Sequence, residues 1–193
     1  MEILNLKTRD AVNTLVDSVK NNKEVMIFCH TDEKVIGHGV YEDLFDKDYC
    51  IENNIILLNA NFPAGACVVF EGDINLIGYE YGFSDIGERY IECVNNFLHT
   101  KGINSQIIGN DLIIEENGIE NKVGSYASVW VNEDDGVETV AHISMNVDLP
   151  LIERICKKKM EKIPKALSDY GITEEEVIGY LNENMPELKN KLL

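Results

Sequence analysis

Residues 110–127, NDLIIEENGIENKVGSYA, carry the clearest structural signal in the chain. Residues 112–115 are mostly apolar and favour a β-strand, 116–118 have the composition of a tight turn, and Lys122 follows on what we predict to be the next strand. A lysine that reaches an enclosed pocket loses several kcal/mol of hydration unless an anion meets it. The stretch therefore predicts a strand lysine that binds a phosphate or carboxylate, or else a surface lysine after a turn.

Composition limits the class of protein. The chain has 193 residues, 45% of them hydrophobic and 26% charged, so we expect one domain, residues 1–193, with a real core. Its formal net charge of −17 argues against a nucleic-acid partner, because phosphate backbones are bound by clustered lysines and arginines. No apolar run approaches the roughly 18 residues that cross a bilayer. We expect a cytoplasmic protein with no membrane partner.

The order of predicted elements indicates the fold class. Helical spacing and capping residues predict helices over 8–20 and 84–100, and further helices from Asp148 and Thr173. Strands are predicted over residues 25–30, 55–58, 66–70, 74–79, 103–108, 112–115, 126–131 and 137–147, and residues 34–39 are predicted as a glycine-interrupted strand or a turn.

These strands do not alternate strictly with helices. We interpret 66–70 and 74–79 as a hairpin, and the last four strands as a meander. Runs of strands interrupted by helices predict an α+β fold with mixed and antiparallel sheets and flanking helices. The sheet-rich core is expected over 1–147 and a helical portion over 148–193.

Five cysteines form an odd, widely spaced set with no CxxC pair, which suggests neither a zinc site nor a disulfide framework. Cys156 differs from the others because three lysines, residues 157–159, follow it. Their positive charge is expected to favour the thiolate and lower the pKa of Cys156. Cys156 is therefore a candidate nucleophile, with an ordinary helix cysteine as the alternative.

Several segments, taken in chain order, resemble one known family. They are PAGACVV at 63–69, Asn75, the pair Asn110-Asp111, KVGS at 122–125 and HISMNVD at 142–148. Together they resemble the lipoate-protein ligase and octanoyltransferase family, which is related to biotin-protein ligases. The resemblance covers about residues 25–180 and identifies the chain as a divergent member.

The resemblance implies a function and a catalytic-domain-like fold. Members bind lipoate or octanoate in a tunnel between two sheets, activate it with ATP or take it from a carrier, and pass it to a lysine of a lipoyl domain. It implies that Lys122 contacts the acyl carbonyl and phosphate, and that Asn110 and Asp111 lie near the nucleotide or its Mg²⁺. Gly65 and Asn75 are the further implied substrate-binding residues.

One histidine joins these candidates on its position alone. His38 lies between Gly37 and Gly39, and it is a candidate for the pocket entrance. The alternative is a polar turn residue.

The chain also departs from the family pattern. The family's glycine-rich segment begins with paired arginines and runs as three glycines, whereas residues 60–66 here are ANFPAGA. Arginines bind phosphate through two hydrogen bonds, and glycines let the backbone approach it closely. Because the paired arginines and two of the glycines are missing, the sequence argues against activation by ATP. A carrier-dependent transferase using Cys156 and a non-catalytic small-ligand or protein-binding relative both stay open.

Lysines 157, 158, 159, 162 and 165 are the candidate docking surface for a lipoyl domain, a class of domain that is commonly acidic.

Overall fold

This computed structural model describes residues 2–32, 35–38, 44–59, 67–82, 85–131, 135–157, 160, 162–186 and 188. Its strands are β1 Glu2–Lys7, β2 Val25–His30, β3 Val35–His38, β4 Ile56–Asn59, β5 Cys67–Val69, β6 Ile74–Tyr81, β7 Ser105–Ile108, β8 Asp111–Glu116, β9 Ile119–Trp130, β10 Gly136–Ile143 and β11 Ile163–Pro164. Its helices are α1 Thr8–Lys20, α2 Lys47–Glu52, α3 Ile86–Thr100, α4 Leu149–Ile155 and α5 Glu174–Asn184, with a 3-10 turn at Leu167–Tyr170.

Two sheets organise these elements. The larger has eight strands in the order β1-β2-β6-β10-β9-β8-β7, with β11 paired to β9. The smaller has three, in the order β4-β3-β5. Most ladders are antiparallel, while β1–β2, β3–β4 and β9–β11 are parallel. The predicted α+β class with mixed sheets and flanking helices is confirmed, and β7 to β10 form the predicted meander.

The helices begin where their capping residues predict. The N-cap side chain of Asp148 accepts from the Leu151 N–H, and Thr173 forms a capping box with Glu176. The predicted helix over 8–20 is α1, and α3 falls within the predicted 84–100. Within the described ranges, no helix has the length and apolar character needed to span a membrane.

Helices cover the large sheet on both faces, but over different strands. On one face, α3 and α5 pack against alternate residues of the central strands, among them Leu76, Leu112 and Ile143. On the opposite face, α1 covers β2 and β6 around Leu15 and Ile27. Because alternate strand residues point to opposite faces, the positions between those of the α3 face lie on the α1 side of the sheet.

The predicted hairpin of 66–70 with 74–79 is wrong. Strand β5 pairs with β3 in the small sheet, whereas β6 pairs with β2 and β10 in the large one. The fully buried Asp73 holds the connection, since its carboxylate accepts from the backbone N–H groups of Phe70, Met145 and Asn146 at 2.7–3.1 Å. Two of these donors follow β10, which is why that strand ends at Ile143 instead of continuing to residue 147.

The sequence also missed three elements. Strand β1 and helix α2 were not predicted, and β11 brings a short strand from the expected helical portion into the large sheet. Through β11 and α5, residues beyond 148 contribute both to the sheet and to the core under α3.

Gly124 allows β9 and β10 to approach each other. A Cβ at this position would lie 2.8 Å from the carbonyl oxygen of His142 and 2.8 Å from Cδ1 of Ile143. We expect Gly124→Ala to lower the free energy of unfolding by about 1–3 kcal/mol, measured by urea titration, because backbone must move to admit the methyl group.

The matched control is Gly179, an exposed helical glycine where an added Cβ would meet nothing within 4 Å. Gly179→Ala should raise stability by about 0.5–1 kcal/mol through reduced backbone entropy. If Gly124→Ala leaves stability unchanged or raises it as Gly179→Ala does, the close approach at Gly124 does not limit this sheet.

Candidate active site

A row of polar side chains crosses the α1 side of the large sheet. The ladders pair Asn75 of β6 with His142 of β10, His142 with Ser125 of β9, and Ser125 with Asp111 of β8. Directly paired residues share a face, so these four form one continuous line across four strands. We call Asn75, His142, Ser125 and Asp111 the polar row.

One half of the polar row is buried and hydrogen-bonded. Nδ1 of His142 lies 2.8 Å from Oδ1 of Asn75, and its Nε2 lies 3.0 Å from Oγ of Ser144. Asn75 donates from Nδ2 to Oγ1 of Thr31 at 2.9 Å, which leaves its Oδ1 as the acceptor. Because Oδ1 of Asn75 can only accept, Nδ1 of His142 carries a proton and donates it to this oxygen.

Burial sets the charge state of this half. Desolvation, with a smaller contribution from the positive charge of Lys122, lowers the pKa of His142 to about 3. Burial raises the pKa of Asp73, whose Oδ2 lies 3.7 Å from Nε2 of His142, to about 7 despite three backbone donors.

The other half of the polar row carries charge. Nζ of Lys122 lies 2.6 Å from Oδ1 of Asp111, and Nζ of Lys162 lies 2.8 Å from Oδ2. Burial opposes ionisation of Asp111, but the hydrogen bonds from both lysines outweigh it and hold the pKa of this carboxyl below its usual range. The anion that the sequence required next to Lys122 is, in this structure, Asp111.

The backbone positions both lysines. Leu112 and Ile113 of β8 pair with Gly124 and Lys122 of β9, so Val123 is the extra residue of a β-bulge. The bulge turns Val123 into the α3 core and Lys122 toward Asp111. Strand β11 runs parallel to β9 with Pro164 opposite Lys122, which brings Lys162 to the same carboxylate.

The remaining predicted residues lie elsewhere or outside the described residues. Asn110 is exposed in the turn before β8, where its carbonyl oxygen accepts from the Tyr126 N–H at 2.9 Å. His38 ends β3, and Gly65 falls outside the described residues. Among the predicted residues, the structure therefore brings Lys122 and Asp111 into contact and places Asn75 in the same polar row.

Cys156 belongs to a different environment. It follows α4 and packs in an apolar cluster with Phe45, Cys50 and Ile155. The prediction that neighbouring lysines lower its pKa is wrong in direction, because burial and then Cys50 raise the pKa of the thiol. Lys157 lies beyond the end of α4, so the basic run does not belong to that helix at this residue.

Sequence reasoning missed the roles of Lys162 and His142. Lys162 was visible only as one member of a basic run, and nothing in the sequence indicated that β11 pairs with β9. His142 entered only as part of the segment 142–148, and its paired residue Asn75 is 67 residues away along the chain.

Mg²⁺, which the family resemblance implied, does not fit Asp111 as it stands. Both carboxylate oxygens accept from ammonium groups, and a magnesium ion would have to displace one of them. The part of the chain that the structure describes contains no group of three His, Cys, Asp or Glu side chains arranged for a metal. Two adjacent ammonium groups instead fit the oxygens of a phosphate or a carboxylate.

A separate open cavity of about 810 Å³ lies near the ends of β2 and β10. Its described lining includes Thr31 but neither Lys122 nor Asp111, and its charged side chains are mainly acidic. These are Asp32, Glu71, Asp148, Asp169 and Glu174. Such a lining repels phosphate, so the anion-binding chemistry of this face belongs to the two lysines.

Comparisons with known proteins agree on the architecture. No family model matches the sequence, and no curated protein matches it. A bipartite lipoate protein ligase of Thermoplasma acidophilum, studied with its E2 lipoyl domain, is 18% identical, with a TM-score of 0.71 over 96% of this chain and 82% of that one. Lipoate-protein ligase A bound with ATP is also 18% identical, with a TM-score of 0.71 over 96% and 84%.

The chain has the fold of the lipoate-protein ligases. A further T. acidophilum structure, of a protein assigned as a lipoate protein ligase and holding lipoic acid, is 19% identical, with a TM-score of 0.69 over 96% and 84%. The expectation drawn from the sequence motifs is thereby confirmed for the fold. Within this lipoate-protein ligase fold, the particular arrangement here is a neutral buried network joined to a charged Lys122–Asp111–Lys162 triad.

The tautomer and charge of His142 can be measured. Because its pKa in the folded protein lies far below the unfolded value near 6.5, the ring should stay neutral with a proton on Nδ1 from pH 8 to 4.5. Ring nitrogen shifts in NMR spectra should show this, whereas the urea-unfolded protein should titrate near 6.5.

The same shift affects stability. A depressed folded pKa means that the contribution of His142 is complete above about pH 6.5 and is lost as pH falls toward the folded pKa. Between pH 6.5 and 5, His142→Gln should therefore lose roughly 2 kcal/mol less than the parent protein. Equal losses would mean that His142 is already accessible to protons in the folded state.

Proposed function

We propose that this protein transfers a lipoyl or octanoyl group to a lysine of a lipoyl-domain acceptor. The fold supports this, since proteins that share it include a lipoate protein ligase studied with its E2 lipoyl domain, one that holds lipoic acid and one that binds ATP. The observation that carries the proposal is Lys122, an ammonium group that a β-bulge holds against the carboxylate of Asp111, on the same partly buried face as the neutral network.

The chemistry suits a fixed cation. The acceptor lysine, as a free amine, attacks the acyl carbonyl carbon; a C–N bond forms, the bond to the leaving group breaks, and the amine gives up a proton. Negative charge develops on the carbonyl oxygen during attack. A preorganised donor such as Lys122 stabilises that charge, and a single good donor contributes about 2.7–4 kcal/mol.

The acyl donor is either the free acid with ATP or a carrier-bound acyl group. Two ammonium groups at one carboxylate provide positive charge suited to phosphate, which supports a phosphate-bearing donor even though residues 60–66 lack paired arginines. Transfer through an acylated Cys156 receives no support from a thiol whose pKa is raised. The proposed reaction therefore passes through Lys122 and makes no use of Cys156.

A non-enzymatic ligand-binding or protein-binding role is the second candidate. The observation that favours it is the ion pair itself, because Asp111 neutralises Lys122 and would serve equally well as a structural contact. The two candidates differ in one respect, namely whether Lys122 is required for a covalent product.

The deciding measurement is the intact mass of a lipoyl domain after incubation with this protein. One reaction contains lipoate or octanoate with ATP and Mg²⁺, and the other contains an octanoyl carrier protein. We expect a mass gain in one reaction, and we expect Lys122→Gln to slow it by about 10²–10³-fold through loss of the oxyanion donor.

Lys101→Gln is the control, because Lys101, which follows α3, is exposed and also pairs with a carboxylate, that of Glu176. It should leave the rate within about twofold of the parent, as for an exposed ion pair. Folded protein that produces no mass gain in either reaction would favour the binding role.

Charge on the partner-facing surface offers a further test. Lys157 is exposed, and residues 158 and 159, which lie outside the described residues, extend the basic run. If an acidic lipoyl domain docks there, reversing Lys157, Lys158 and Lys159 to Glu should slow transfer several-fold at low salt, with the difference disappearing at about 0.5 M salt. The same reversal at the exposed Lys20 and Lys23, at the C-terminal end of α1, should have less effect. Equal slowing at both places would indicate general repulsion instead of docking.

A further inference from the structure

Lys162 is held more firmly than an ordinary surface lysine. Strand β11, which begins at the next residue, pairs with β9, and the N–H of Lys165 donates to the carbonyl oxygen of Lys122 at 3.0 Å. The Lys162 side chain is 24% exposed and Asp111 23%, compared with 37% for Lys122. The backbone that positions Lys162 is thus bonded directly to the residue that carries the proposed chemistry.

The geometry of the triad matches a bidentate oxyanion. Lys122 and Lys162 each donate to a different oxygen of one carboxyl group, at 2.6 and 2.8 Å. Two ammonium groups held at this spacing can bind the paired oxygens of a substrate carboxylate or of a phosphate in the same way. Their charges and that of Asp111 sum to +1, an unusual local sign in a chain of net charge −17.

We infer that Lys162 is the second cation of the acyl-transfer site, and that Lys122 and Lys162 together bind the phosphate or carboxylate of the substrate in the place that the Asp111 carboxylate now occupies. Asp111 is then an internal counter-ion: its carboxylate occupies the two lysines when no ligand is bound, and the ligand displaces it. This inference rests on the proposed function for the identity of the ligand, whereas the paired-lysine site itself can be tested without any acyl transfer.

Asp111 makes the inference specific. A lysine pair whose purpose is structural needs its carboxylate, so Asp111→Asn would only weaken the fold. If the lysine pair binds a ligand, Asp111 competes with that ligand for the two ammonium groups, so removing the negative charge of Asp111 strengthens ligand binding. The two roles predict opposite effects of one substitution.

The test is calorimetric titration with inorganic pyrophosphate, a small polyanion that carries the phosphate chemistry without an acyl chain. We expect Lys162→Gln to weaken binding by about tenfold or more, as for loss of one charge-assisted hydrogen bond, and Lys162→Arg to restore it to within about threefold. Asp111→Asn should tighten binding by about tenfold, and Lys101→Gln, at an exposed lysine paired with Glu176, should bind like the parent. Thermal melts establish that each variant is folded.

Three results would overturn the inference. These are a parent protein that does not bind pyrophosphate at millimolar concentration, a Lys162→Gln variant that binds as tightly as the parent, or an Asp111→Asn variant that binds more weakly. The lipoyl-domain mass assay, run on the same samples, separates this outcome from failure of the proposed function. If the Lys162→Gln variant still transfers the acyl group and binds pyrophosphate like the parent, the role of Lys162 is rejected and the proposed function stands. If pyrophosphate binding depends on Lys162 but no acyl transfer occurs, the proposed function is rejected and the paired-lysine site stands.

Discussion

The register of β10 against its two neighbours is the constraint on which the rest of the molecule depends. Eight residues of β10 pair with β6 and seven pair with β9, and these ladders align Asn75, His142 and Ser125 on one face. A slip of one residue would turn His142 into the apolar core under α3 and place Ile143 among the polar groups of the row. Gly124 protects the register, because it is the point at which β9 approaches the carbonyl of His142.

This register also places the neutral groups of the polar row at one end and its charged groups at the other. Near β6 and β10 the polar groups are buried, and burial keeps His142 neutral and favours the protonated form of Asp73. Charge therefore collects at the other end of the row, where Asp111 and two lysines remain partly exposed. The buried groups of the row, Asn75 and His142, are neutral, so they do not reduce the positive charge of Lys122. Its counter-ion in the row is Asp111.

Local signals in the sequence predicted most of the elements but not all of their partners. Helices α1, α3 and α5 and the β7 to β10 meander followed from periodicity, caps and turn residues, which act over a few positions. The assignment of β5 and β6 to different sheets did not follow, because it depends on Asp73 accepting from Met145 and Asn146, more than 70 residues away.

The candidate site divides in the same way. Lys122 was predicted as a site residue from its apolar strand surroundings and from the family resemblance, and Asp111 from the resemblance alone. The structure brings the two into contact because they lie on adjacent strands of one hairpin. Lys162 was counted as a surface charge, since only the β9–β11 ladder brings it to Asp111. The basic run therefore has two parts with different surroundings: Lys162 and Lys165 pair with carboxylates of β8, whereas Lys157 is exposed. A protein of net charge −17 that commits two of these five lysines internally keeps few cations for an acidic partner, so its encounters with a lipoyl domain are expected to be weak and sensitive to salt. Weak binding suits transfer to a protein that must leave once it is modified, because the affinity needed for recognition then does not slow release.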